Sequence, residues 1–119
     1  MKQIIIGIMP PEKMRARAIA IARGEYKPKS GEPKVWFPSM KSVAETLSDK
    51  NMELIRIIAE QKPASIAELS QKTGRAPSNL SRTLNRLAGY GFVSLERQPG
   101  NIVRPTALAV EYNIRAMAA

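Results

Sequence analysis

The period of the hydrophobic pattern changes several times along this chain, and each change predicts an element. Residues 2–9 are almost continuously apolar and rich in isoleucine, which predicts a strand that stops at Pro10-Pro11. Pro11 and Glu12 suit a first helical turn. Met14, Ala18 and Ile21 then recur at i, i+4 and i+7, giving a helix with one apolar face that ends at Gly24. Residues 25–33 are rich in Lys, Pro and Gly and read as a loop. Val35, Trp36 and Phe37 read as a short buried strand, closed by Pro38 and able to pair with the first. Ser39 opens a helix over residues 39–47. Its partner three positions on is Ser42 rather than an acidic residue, so no capping box is expected. Ser48 or Asp49 caps a further helix over residues 50–61. Met52, Leu54, Ile55, Ile58 and Ala59 form its buried stripe, and Lys62-Pro63 ends it.

Residues 65–105 carry the densest set of signals. Ser65 and Glu68 have capping-box spacing, and Ile66, Ala67 and Leu69 face inward. Gly74 makes a turn, and Pro77 sits at a helix N1 position. Leu80, Leu84 and Leu87 make a second apolar stripe, which stops at Gly89 and Gly91. Residues 92–95 form a strand, 98–101 a Pro-Gly turn and 102–104 the returning strand. Val110, Tyr112 and Ile114 alternate with polar residues, which predicts a final strand. A helix over residues 107–117 is the competing reading, because that stretch is rich in alanine. The predicted class is α+β. Residues 1–38 form a strand–helix–strand extension, a candidate dimerisation or partner-binding element. Residues 39–119 form a winged helix-turn-helix.

Charge sharpens this picture. The formal net charge is +9, with 19 basic and 10 acidic residues. Such a surplus favours a polyanionic partner. The excess lies in residues 1–38 and 65–91, whereas the central block 39–64 is neutral. Cysteine and histidine are both absent, which removes thiolate metal sites and the commonest general base. Carboxylates are scattered. No metal, no cofactor and no enzymatic activity are expected. The N-terminal apolar run is followed by Glu12, Lys13, Arg15 and Arg17, which a secretory signal would not tolerate. No run reaches a membrane span. A cytoplasmic protein without membrane contact is the expectation.

On a helix over residues 77–88, at 100° per residue, the side opposite the leucines presents Ser78, Asn79, Arg82, Thr83 and Arg86, with no carboxylate. Arg can grip guanine O6 and N7 in two-point fashion, Asn can do the same for adenine, and Ser78 can reach a phosphate. Arg97 and Arg104 flank the predicted turn of the wing, residues 92–105. The candidate DNA-contacting set is Ser65, Arg75, Pro77, Ser78, Asn79, Ser81, Arg82, Thr83, Arg86, Arg97 and Arg104. Lys13, Arg15, Arg17 and Arg23 form a second basic group, read either as flanking phosphate contacts or as a solvated face. Trp36 and Phe37 are read as core, with a dimer interface as the competing use.

The run SIAELSQKTGRAPSNLSRTLNRLAGYGFVSLERQPGNIVRP resembles the MarR/ArsR-like winged helix-turn-helix transcriptional regulators. The strand–helix–strand front end departs from typical MarR proteins. It is more similar to small winged-helix DNA-binding proteins that are sometimes encoded as antitoxins. The resemblance implies a homodimeric repressor of double-stranded DNA, with residues 77–88 in the major groove. It also implies, as the alternative, an antitoxin that binds a cognate toxin protein and represses its own operon. Two other classes remain: an RNA- or ribosome-binding protein, and a protein-interaction module. Few aromatic residues argue against the first, and the Arg-rich, carboxylate-free helix face argues against the second.

Overall fold

A computed structural model describes residues 2–117 of the chain. The class is α+β. In order, the elements are β1 (Lys2–Ile8), α1 (Pro11–Ala22), β2 (Val35–Phe37), α2 (Met40–Thr46), α3 (Asp49–Gln61), α4 (Ile66–Thr73), α5 (Pro77–Gly89), β3 (Val93–Gln98), β4 (Ile102–Ala107) and β5 (Ala109–Arg115). They divide into two compact units. One is Leu47–Val110, with Lys2; the other is Gln3–Thr46, with the chain from Glu111 onward. No helix of the described residues is long and apolar enough to cross a membrane.

In the Leu47–Val110 unit, capping sets the helix limits. Ser48 Oγ accepts the Asn51 N–H at 3.2 Å to start α3, and Lys62, in the left-handed region at φ 46°, ends it before Pro63. Ser65 Oγ accepts the Glu68 N–H at 3.0 Å to start α4. The Glu68 carboxylate reaches back to the Ala64 N–H at 2.9 Å, one residue beyond the expected capping-box partner. At the end of α5, Gly91 N–H donates to Ala88 O and Phe92 N–H to Leu87 O, both at 3.0 Å. With Gly91 at φ 83°, this is a Schellman ending, and it aims Phe92 back into the core beside Leu87. Leu54, Ile55, Ile58, Leu69, Leu80, Leu84, Leu87, Phe92 and Val93 fill that core. Helices α3 and α4 pack on β4, and α5 packs on β3 and α4. Ala67, expected to face inward, is exposed, and Ile66 is half-buried.

The hairpin is longer than its apolar residues indicate. Strands β3 and β4 pair antiparallel from Val93↔Ala107 to Gln98↔Ile102, so only residues 99–101 cross between them. Beyond the core the ribbon is solvated, so polar residues such as Glu96 and Arg104 continue the ladder. They pair across it at 2.6 Å.

In the second unit, the sheet order is β2-β1-β5, with β1 central. As expected, β2 pairs with the first strand. The pairing is parallel, with Ile6↔Val35, Gly7↔Trp36 and Ile8↔Phe37. The tail is a strand, so its two-residue period outweighed its alanines. Phe37, Val43 and Thr46 are buried. Ser39 and Ser42 do cap each other: Ser42 N–H donates to Ser39 Oγ at 3.1 Å, and Ser39 N–H to Ser42 Oγ at 3.2 Å. A serine hydroxyl thus fills the role assigned to a carboxylate.

Helix α1 ends at Ala22, with the expected stop Gly24 just beyond at φ 75°, and its inward face is rotated from the expected stripe, keeping Met14 and Ile21 but not Ala18. Ala18 is exposed, whereas Met14, Arg17, Ala20 and Ile21 are half-buried and no α1 residue is fully buried. Arg17 explains the rotation. Its guanidinium lies 5.1 Å from the Trp36 ring and 5.7 Å from the Tyr26 ring, so its stem covers apolar surface while its charge stacks. Beneath the same indole lies Gly7. A Cβ there would sit 2.3 Å from Trp36 Cζ3, so only glycine leaves room for the ring. Glu32 closes the cluster. It accepts from the Tyr26 hydroxyl, accepts the Lys29 N–H at 2.5 Å and lies 3.8 Å from Arg17. Arg17 therefore does not belong with the solvated cations of α1.

Candidate nucleic-acid interface

Helix α5 has two opposed faces. Leu80, Leu84 and Leu87 are essentially inaccessible, whereas Pro77, Ser78, Asn79, Arg82 and Arg86 are exposed. Ser81 and Thr83 lie half-buried between them. Pro77 stands at N1 and Ala76 at the N-cap, so no side chain caps the helix. The first-turn N–H groups of Ser78 and Asn79 have no intrahelical acceptor, and the helix dipole makes this end attractive to an anion. The side chains of Ser78, Asn79 and Arg82 make no hydrogen bond among the described residues. Asn85, on the same helix, instead turns back and donates to Ser81 O at 2.8 Å.

The remaining candidates split by what else they touch. Arg97 is exposed near the hairpin tip, opposite Val103, and has no ion pair among the described residues. Arg104 is held by Glu96 across the ladder. Ser65 is half-buried and its hydroxyl caps α4. Arg75 lies in the turn between α4 and α5, bound into it by its own backbone. Ser70 Oγ donates to Arg75 O at 2.6 Å, and Arg75 N–H donates to Thr73 Oγ1 at 3.2 Å. Its Nη2 reaches Asn51 Oδ1 at 3.4 Å, while Nη1 is buried without a partner.

Sequence reasoning missed two of these partners. Glu96 could have been found by counting the register outward from the Pro-Gly turn. Asn51 could not, because it comes from α3, 24 residues upstream. In the link between α5 and β3, Tyr90 and Phe92 stack with centroids 5.6 Å apart. Among the described residues there is no group of three or more Asp or Glu side chains able to hold a metal ion.

No curated protein and no solved structure matches the chain. The family model HVO_A0114 matches residues 46–114, which takes in all of α3 to β4 and most of β5. That is more than half of the chain, and the protein belongs to the HVO_A0114 family.

Proposed function

We propose that the Leu47–Val110 unit is a winged helix-turn-helix and that the protein is a sequence-specific double-stranded DNA-binding transcriptional regulator. It resembles the MarR/ArsR-like regulators and acts as a homodimeric repressor that occludes its operator. The observation that carries this reading is the division of α5. Its leucine face is wholly buried, and its outer face offers Ser78, Asn79, Arg82 and Arg86 with no carboxylate anywhere on the helix. In this reading α5 enters the major groove, where Asn79 and Arg82 meet base edges and the uncapped first turn meets a phosphate. The hairpin lies along flanking DNA and contributes Arg97. Arg104 adds little there, because Glu96 neutralises it. Ser65 and Arg75 hold α4 and the turn in position.

Salt dependence on duplex DNA tests the reading. With about four to five phosphate contacts, log K should fall with log[salt] at a slope of roughly −4. A slope near zero overturns the proposal. Equal or tighter binding to structured RNA overturns it in favour of an RNA-binding protein.

A further inference from the structure

The three-stranded sheet of the second unit ends at β5, with no further strand beyond it among the described residues. Strand β5 is seven residues long and is paired on one side only, by β1. Unpaired strand edges are templates for another strand unless something blunts them. No proline interrupts β5, and Tyr112 and Asn113 on it are only half-buried. Ile114 is 42% exposed, although it is a large aliphatic residue in a sheet.

The charge order along this edge is self-complementary. Glu111 and Arg115 lie four residues apart, so both point to the same face of the strand, with Asn113 midway. An antiparallel copy related by a two-fold axis through Asn113 sets Glu111 opposite Arg115 of the copy, and Arg115 opposite its Glu111. On the other face the same register sets Tyr112 against Ile114 twice, covering the exposed isoleucine. Shifting the axis to Tyr112 loses both ion pairs, since Glu111 would then face Asn113. Neither charge is used up within its own chain. Glu111 Oε1 accepts from Gln3 at 2.8 Å and Arg115 Nη1 donates to Gly31 O at 3.1 Å, which leaves the other carboxylate oxygen and four guanidinium N–H groups.

We infer that β5 is the homodimer interface: two copies join edge to edge, antiparallel and centred on Asn113, into one continuous six-stranded sheet. This names the surface for the dimer in the functional reading above, but its test needs no DNA. If it fails while duplex binding keeps its salt dependence, only the interface is wrong.

Two measurements on the full-length chain decide it. The chain has no cysteine, so single cysteines report cleanly. Across the axis Asn113 faces itself at about 4.5–5.5 Å between Cα atoms, within reach of a disulfide. Asn113→Cys should therefore form a covalent dimer on mild oxidation. Tyr112→Cys, whose copy lies diagonally at roughly 8 Å, should not. Sedimentation should show Glu111→Arg and Arg115→Glu each weakening the dimer by about tenfold or more, since two attractions become two repulsions. The combined swap E111R/R115E should restore the dimer, which separates loss of pairing from misfolding. A chain that is monomeric at about 100 µM, faster cross-linking through Tyr112→Cys, or a double swap no better than the singles overturns the inference.

Discussion

The two units are held together by different chemistry. In Leu47–Val110, the fully buried positions of α5 are all leucines, Leu80, Leu84 and Leu87. In the Gln3–Thr46 unit, α1 buries no residue completely, and its best-placed inward side chain is an arginine. The contrast bears on what each surface is free to do. A helix anchored by aliphatic burial can present cations outward, as α5 does with Arg82. A helix anchored by a stacked guanidinium has committed that cation to structure, so among the cations of α1 only Lys13 and Arg15 remain exposed.

The largest effect should come from breaking the aliphatic anchor. Leu84 is fully buried on α5. Leu84→Ala should cost about 2–5 kcal/mol, read as a lower melting temperature or a lower urea midpoint. Arg82→Ala, one helical face away, should change stability by less than about 0.5 kcal/mol. It should nevertheless weaken specific duplex binding by about 1–3 kcal/mol. If Arg82→Ala unfolds the protein, the two faces of α5 are not separate in role and the contrast with α1 fails.

The next effect belongs to the other unit. Gly7→Ala places a methyl group where Trp36 Cζ3 already lies 2.3 Å away, so the indole or the central strand must shift. Overpacking of this kind costs about 1–3 kcal/mol. Trp36 is the only tryptophan, so its emission should move together with the melting curve. Unchanged emission and melting would mean that the indole does not rest on Gly7 in solution.

This contrast also explains which parts could be read from the chain. The Leu80, Leu84, Leu87 stripe announces both a helix and its buried face, because hydrophobic period is the direct signature of aliphatic packing. The pairing of β1 with β2 is legible as two apolar runs closed by prolines, but its parallel direction is not and comes from the fold. The face of α1 is legible only in part: Met14 and Ile21 face inward as their spacing indicates, but Arg17 joins them where Ala18 is expected. Its stacking partners, Tyr26 and Trp36, come from the loop and from β2, and no local period signals them. The sequence indicates too short a hairpin for a related reason: polar residues in a solvated ribbon resemble a turn. At the candidate interface, Ser78, Asn79, Arg82 and Arg86 of the α5 face are legible from the period, whereas Thr83, expected on that face, is half-buried beside it. The capture of Arg104 by Glu96 and of Arg75 by Asn51 is not legible, since each depends on the fold bringing distant residues together.

Replacing the polar anchor tests the same contrast more gently. Arg17→Met keeps an apolar stem on Trp36 and removes the charge. It should cost about 0.5–1 kcal/mol, the usual worth of an exposed cation–π contact, and leave DNA affinity unchanged. A loss of DNA affinity without a loss of stability would return Arg17 to the solvated, partner-facing cations.

The smallest effect is a pH dependence confined to the second unit. The Tyr26 hydroxyl donating to Glu32, then the Lys29 N–H and the charges of Arg17 and Lys29, hold the Glu32 carboxyl below its ordinary value. A carboxyl whose folded value is depressed stabilises the fold above its ordinary value, and that contribution is lost as pH falls through the folded value. The same hydrogen bond raises Tyr26, and burial pushes Tyr112 up to about 12. Their contributions are complete below the ordinary tyrosine value and disappear as pH climbs through the raised ones. Trp36 emission, read beside this cluster, should therefore be flat through neutrality, with one change in acid and another in strong alkali. Glu32→Gln should abolish the acid change and leave the alkaline change of Tyr112 intact. An acid transition that survives Glu32→Gln would place the titrating group elsewhere and leave Arg17, rather than the Tyr26–Glu32 pair, as the element that holds α1 to its sheet.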